Sequence, residues 1–121
     1  MHLFSVKIRS YNLRKNIFEK NTGKIAGGIY STVNKNVFID DINMKYNNST
    51  KNAGAIYNDL CSNVTIQNSE FQNNKAILTT GGVLFVDTTV GLKVLDSTFI
   101  NNFSYIYSGV TWLENSENIL F

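Results

Sequence analysis

Apolar and polar positions alternate in short bursts along this chain, and the bursts return in a fixed order. Val37 and Ile39, Val64 and Ile66, and Leu92 and Val94 flank Phe38, Thr65 and Lys93, the period-two pattern of a strand with one buried face. Tyr11 and Leu13 hold the same place ahead of the first full copy. Five residues after the second member of each pair comes Phe18, Met44, Phe71 or Phe99, which predicts a bend and a second short strand. Each of these four stands three residues before an Asn: Asn21, Asn47, Asn74 or Asn102. Asn accepts left-handed backbone and bonds neighbouring peptide groups, so an Asn at the same turn of every coil predicts a stacked amide ladder. Two positions on, Gly23, Ser49, Ala76 and Ser104 mark a tight corner.

A Gly-led pentad then supplies a third strand: Ala26 to Tyr30, Ala53 to Tyr57, Gly81 to Phe85 and Ser108 to Trp112. Within it we expect Gly28, Ala55, Val83 and Val110, with Tyr30, Tyr57, Phe85 and Trp112, to face inward. The column between them, Ile29, Ile56 and Leu84, tolerates Thr111 in its last copy and is placed outside. Polar links from Ser31 to Asn36, Asn58 to Asn63 and Val86 to Gly91 are read as the corners that carry variation. Gly27, Gly54, Gly82 and Gly109 recur about every 27 residues, a period of stacked repeats. Sustained helical periodicity and proline are both absent. The expectation is an all-β parallel β-helix of three short strands per rung, with rungs over about 11–36, 37–63, 64–91 and 92–118. At about 4.8 Å per rung it spans about 20 Å, and four rungs are read as part of a longer solenoid, with neighbouring rungs as its nearest partners.

The combined pattern, Val-x-Ile-x-Asn-Ser-x-Phe-x-Asn-Asn followed by Gly-Gly-Val-Leu-Phe, resembles repeats of bacterial polymorphic outer membrane proteins and of large protist surface proteins. Phe18 to Asn21, Phe71 to Asn74 and Phe99 to Asn102 match their Phe-x-x-Asn element. Gly27-Gly28-Ile29 and Ala53 to Tyr57 match their Gly-Gly-Ala-Ile element, while Met44 in place of Phe and Ser108 in place of the first Gly are departures conservative for packing. The resemblance implies a right-handed parallel β-helix of the pectin-lyase-like superfamily, in a surface or secreted stalk with adhesive or structural use. Fold alone leaves function open, because this superfold also carries lyases and hydrolases.

Composition narrows the chemistry. Hydrophobic residues make up 43% and charged residues only 17%, so amides rather than ions supply most of the polarity. A net charge of +2 offers no concentrated basic field for a phosphate backbone, and nucleic acid is not an expected partner. His2 is the only histidine and Cys61 the only cysteine, which removes Ser-His-Asp and Cys-His relays and His/Cys zinc sites. No metal or cofactor is expected, and Cys61 is read as a small filler at a bend. No apolar run reaches the roughly 18–20 residues of a membrane helix, and residues 1–9 carry no secretory signal.

An enzyme on this scaffold would place outward carboxylates along one corner to work on polysaccharide. The corner column Lys15, Asp41, Asn68, Asp96 puts two carboxylates two rungs apart, and the column beside it, Arg14, Asp40, Gln67, Leu95, pairs a guanidinium with a third. Asp40, Asp41, Asp96 and Arg14 are therefore the candidate catalytic residues, set against ordinary corner chemistry for Asp and Asn. Asn63-Val-Thr65 and Asn48-Ser-Thr50 match the N-glycosylation pattern. The expected function is a non-catalytic structural or adhesion segment, extracellular or at the cell surface, with carbohydrate or other surface proteins as partners. Fragments of a polysaccharide lyase or glycoside hydrolase, or a carbohydrate-binding solenoid with outward aromatics, are the alternatives.

Overall fold

Each turn of the chain lays down four short strands, and every strand pairs in parallel with its counterparts one turn above and below. The computed structural model describes residues 4–6, 11–77, 81–106 and 109–121; the side chains of 4–6 and 11, together with His2 and Ser108, lie outside the described set. No helix occurs among the described residues, so none is long and apolar enough to cross a membrane.

Sheet A stacks Phe4–Val6, Ile29–Thr32, Ile56–Asp59, Leu84–Asp87 and Thr111–Glu114. Sheet B stacks Tyr11–Arg14, Lys35–Asp40, Ser62–Gln67, Val90–Leu95 and Glu117–Leu120, and sheet C stacks Ile17–Glu19, Asn43–Lys45, Glu70–Gln72 and Thr98–Ile100. The fourth sheet, D, was not foreseen. It is built from the two-residue strands Thr22–Gly23, Asn48–Ser49, Lys75–Ala76 and Phe103–Ser104, too short to show alternation in sequence. The expected corner of small residues is thus the inward column of sheet D, where Ser49 and Ala76 are fully buried.

Register confirms a solenoid of about four turns. Val37, Val64 and Leu92 pair in succession, as do Met44, Phe71 and Phe99, so the columns read from the sequence are columns of the stack. The interior is filled by Val37, Ile39, Val64, Ile66 and Leu92 from sheet B and by Met44 and Phe71 from sheet C. Phe71 has no solvent exposure and lies 5.0 Å from the Phe99 ring, nearly parallel to it.

Corners form where single residues take positive φ. Lys15, Asp41, Asn68 and Asp96 turn sheet B into sheet C; Lys20, Tyr46, Asn73 and Asn101 turn C into D; Val33, Leu60, Thr88 and Asn115 turn A into B. The links expected as loops between the pentad and sheet B are therefore mostly strand, with two positive-φ residues in each (Val33 and Asn36, Leu60 and Asn63, Thr88 and Gly91), and constant in length. Length varies instead between sheets D and A, over residues 24–28, 50–55, 77–83 and 105–110.

The pentads correct a second expectation. Ile29, Ile56 and Leu84 are fully buried in the main core, whereas Tyr30, Tyr57, Phe85 and Trp112 gather with Ala26 and Ala53 in a cluster of their own on the outer side of sheet A. The cause is a bulge repeated in every rung: the amides of Gly28 and Ile29 both donate to the Ala55 carbonyl, and those of Ala55 and Ile56 both donate to Val83. Two successive side chains then face inward and the alternation restarts one residue later. The glycine column answers to close approach rather than to φ. A methyl group at Gly54 would overlap the Gly82 carbonyl and stand 2.5 Å from the Lys75 amide, because sheet A's lead-in runs against the backbone of sheet D.

Candidate functional site

The corner between sheets B and C holds all four candidate residues, and their geometry separates them into two groups. Asp40 ends a sheet B strand with its side chain only 11% exposed. Its Oδ2 accepts from Arg14 Nη2 at 3.0 Å and Nε at 3.3 Å, and its Oδ1 accepts from Asn68 Nδ2 at 3.0 Å and Gln67 Nε2 at 3.2 Å. These donors, Asn68 foremost and then the Arg14 guanidinium, hold the Asp40 carboxyl below its ordinary range. Arg14 also lies 5.6 Å above the Phe38 ring. A carboxylate so fully engaged is a clamp across three rungs and a poor proton carrier.

Asp41 and Asp96 are exposed and stand at corner positions with φ of 52° and 46°. Asp and Asn are the residues that most readily take this backbone conformation, which accounts for the column's composition without catalysis. The two carboxylates nevertheless line one open groove of about 410 Å³, with Asn43, Asn68, Glu70 and Thr98. Glu70 was not singled out from the sequence; it stands in the outward column Ile17, Asn43, Glu70, Thr98, beside the Phe column, and pairs with Lys45 at 3.3 Å. Asp40 and Arg14 lie outside the lining, so the structure gathers Asp41 and Asp96 but does not converge all four.

The ladder asparagines are consumed by the backbone. Oδ1 of Asn47, Asn74 and Asn102 accepts the amide of Asn21, Asn47 and Asn74 respectively, at 2.9–3.1 Å. Their Nδ2 groups donate to the carbonyls of Phe18, Met44 and Phe71 at 2.8–2.9 Å. A second ladder, of hydroxyls, runs at the B to C corner: Ser69 Oγ accepts the Ile42 amide and Ser97 Oγ the Ser69 amide, while each donates to the carbonyl two residues back. Cys61 fills the equivalent place at the A to B corner, buried, with Sγ donating to the Asp59 carbonyl at 3.3 Å.

On the outer side of sheet A the aromatic column stacks ring on ring. Tyr57 lies 5.2 Å from Tyr30 and 4.8 Å from Phe85, the latter within 3° of parallel. Both faces of the Tyr57 ring are covered by its neighbours, so the column turns ring edges to solvent, whereas sugar stacking requires an open face. Two residues beyond the rings run Asp59, Asp87 and Glu114. Burial, followed by the charges of Asp59 and Asp87, pushes the Tyr57 phenol up to about 12. Burial and the neighbouring Asp87 likewise raise Asp59 above its ordinary value.

Among the described residues no group of three His, Cys, Asp or Glu side chains is arranged to hold a metal ion. Comparison of the chain with protein-family models, with curated proteins and with solved structures finds no match.

Proposed function

We propose that this chain is a non-catalytic structural or adhesion segment of a secreted or cell-surface protein, a right-handed parallel β-helix of the pectin-lyase-like kind. One observation carries the reading: the polar residues that recur in every rung serve the stack itself. Asn47, Asn74 and Asn102 bond main chain from rung to rung, Asp40 is saturated by four donors, and Asp41 and Asp96 supply corner backbone. Right-handedness follows the strong chirality preference of parallel crossover connections. The direct test is turnover of a polysaccharide library. Activity on any substrate that disappears in both Asp41→Asn and Asp96→Asn would replace this reading with a lyase or hydrolase.

A second reading, carbohydrate binding without chemistry, draws on the open polar groove, where Asn43, Asn68, Thr98 and two free corner carboxylates could bond sugar hydroxyls. A glycan array that stays blank at high protein concentration removes it.

A further inference from the structure

Charge is not spread evenly around the coil. Residues 20–39, 42–58, 71–86 and 97–113 contain no Asp or Glu, and these stretches include every strand of sheet D and the link from it to sheet A. Lys24, Lys51 and Lys75 stand exposed on the outer face of that region. Register places Thr22, Asn48, Lys75 and Phe103 in one outward column. The amides of Thr50, Ile77 and Tyr105 bond the carbonyls of Gly23, Ser49 and Ala76, which aligns Lys24, Thr50, Ile77 and Tyr105 in the next outward column.

The same region carries a group of exposed apolar side chains. Phe103 is 47% exposed, Tyr105 73%, Ile106 54% and Ile77 39%. The group meets the basic residues at Lys75, whose Nζ lies 5.6 Å from the Phe103 ring centre, and Phe103 meets Tyr105 edge-on at 6.5 Å. Protruding Phe, Tyr and Ile beside lysines on a surface without carboxylates is the chemistry of a membrane interface: apolar side chains enter the headgroup boundary while ammonium groups meet anionic lipid. An anionic polymer would use the lysines but would gain nothing from Ile77 and Ile106.

We propose that the outer face of sheet D docks on an anionic lipid surface, with Tyr105, Ile106 and Phe103 inserted and Lys24, Lys51 and Lys75 paired to headgroups. This face is distinct from the groove at the B to C corner, and the proposal stands whether or not the adhesion reading above holds.

The experiment is co-sedimentation with vesicles of phosphatidylcholine, with and without phosphatidylglycerol. Binding is expected only to the anionic vesicles and to weaken with salt. Each lysine near such a surface contributes about fivefold, so Lys24→Gln/Lys51→Gln/Lys75→Gln should lower partitioning about 100-fold. The pair Lys35→Gln/Lys93→Gln, on sheet B, should leave most of it. Tyr105→Ser/Ile106→Ser should weaken it at least about tenfold through lost apolar burial. All substituted side chains are exposed, and circular dichroism verifies each fold. Equal binding to neutral and anionic vesicles, equal losses from the two lysine sets, or binding untouched by the serine pair would each overturn the proposal. Tighter binding to heparin than to vesicles would assign the face to an anionic polymer instead.

Discussion

Replacing Asn74 by alanine removes the central step of the amide ladder while leaving the surface intact. The Asn74 Oδ1 accepts from both the amide and the Nδ2 of Asn47 at 3.0 Å, and its Nδ2 donates to the Met44 carbonyl at 2.9 Å and to Asn102 Oδ1 at 3.1 Å. Truncation at Cβ strands one buried main-chain group, the Asn47 N–H, because the Met44 carbonyl keeps its partner in the sheet C ladder. At about 1–3 kcal/mol for the orphaned group, Asn74→Ala costs about 1–3 kcal/mol, a sizeable share of the roughly 5–15 kcal/mol that holds a domain together. Urea unfolding followed by far-ultraviolet circular dichroism measures it. Asn73→Gly is the control, because Asn73 is a corner residue with φ of 55° that glycine satisfies, and its cost should stay below about 0.5 kcal/mol. Equal midpoints for the two variants would refute the ladder as a source of stability. Asn74→Asp sharpens the test. It keeps the acceptor but turns a carboxylate oxygen toward the Met44 carbonyl, so burial raises its folded pKa above the unfolded value of about 3.9. That variant should be most stable in acid and lose more stability than the native chain as pH rises past that value, since it adds a raised carboxyl to the one that both carry at Asp59.

Three further substitutions probe other parts of the stack. Asn58 is fully buried with neither carboxamide atom hydrogen-bonded, and Val86 takes its place one rung on, so Asn58→Val should raise stability by about 1–3 kcal/mol; a lowered urea midpoint would contradict this. Val33 holds a β-branched side chain at φ of 56° while 63% exposed, and Val33→Asn, matching Asn115 in the same column, should gain about 1 kcal/mol in the same assay. Asp40 has its folded pKa lowered from 3.8, so the stability that it contributes is present above that value and lost as pH falls through the folded one. The gap in thermal midpoint between native protein and Asp40→Asn should therefore close in acid, and a gap independent of pH would count against the clamp.

The stack was legible because its columns repeat chemistry that only a stack needs. One Asn at the end of a strand says little; Asn21, Asn47, Asn74 and Asn102 at matching places say that a side chain must meet the same backbone group in each turn. Sheet D was illegible for the opposite reason. A strand such as Lys75–Ala76 has one residue out and one in, which any corner also shows. The candidate site was half legible: register gave Asp41 and Asp96 a common column, but Glu70 was hidden because it sits in a column with Ile17, Asn43 and Thr98, which share no chemistry. Columns whose residues differ are invisible to a reading that depends on recurrence, and a ligand surface is where recurrence is free to lapse.

The aromatic column shows where the period-two rule itself fails. Tyr30, Tyr57, Phe85 and Trp112 recur as faithfully as the Asn ladder, and large aromatic side chains ordinarily belong inside. What reverses them is a bulge that is silent in sequence, two amides sharing one carbonyl at Gly28–Ile29, Ala55–Ile56 and Val83–Leu84. The interior at this corner is already occupied by Ile29, Ile56 and Leu84 from one column and by Ala55 and Val83 from the other, and a third inward column of rings would have no space. Placed outside, the rings cover one another and pack on Ala26 and Ala53, so their apolar faces are buried without entering the core. That arrangement sets the sheet A rings apart from the aromatic residues at sheet D. The sheet A rings are spent on one another, while Phe103 and Tyr105 at sheet D stay exposed, so of these two faces it is sheet D that offers a partner an open ring.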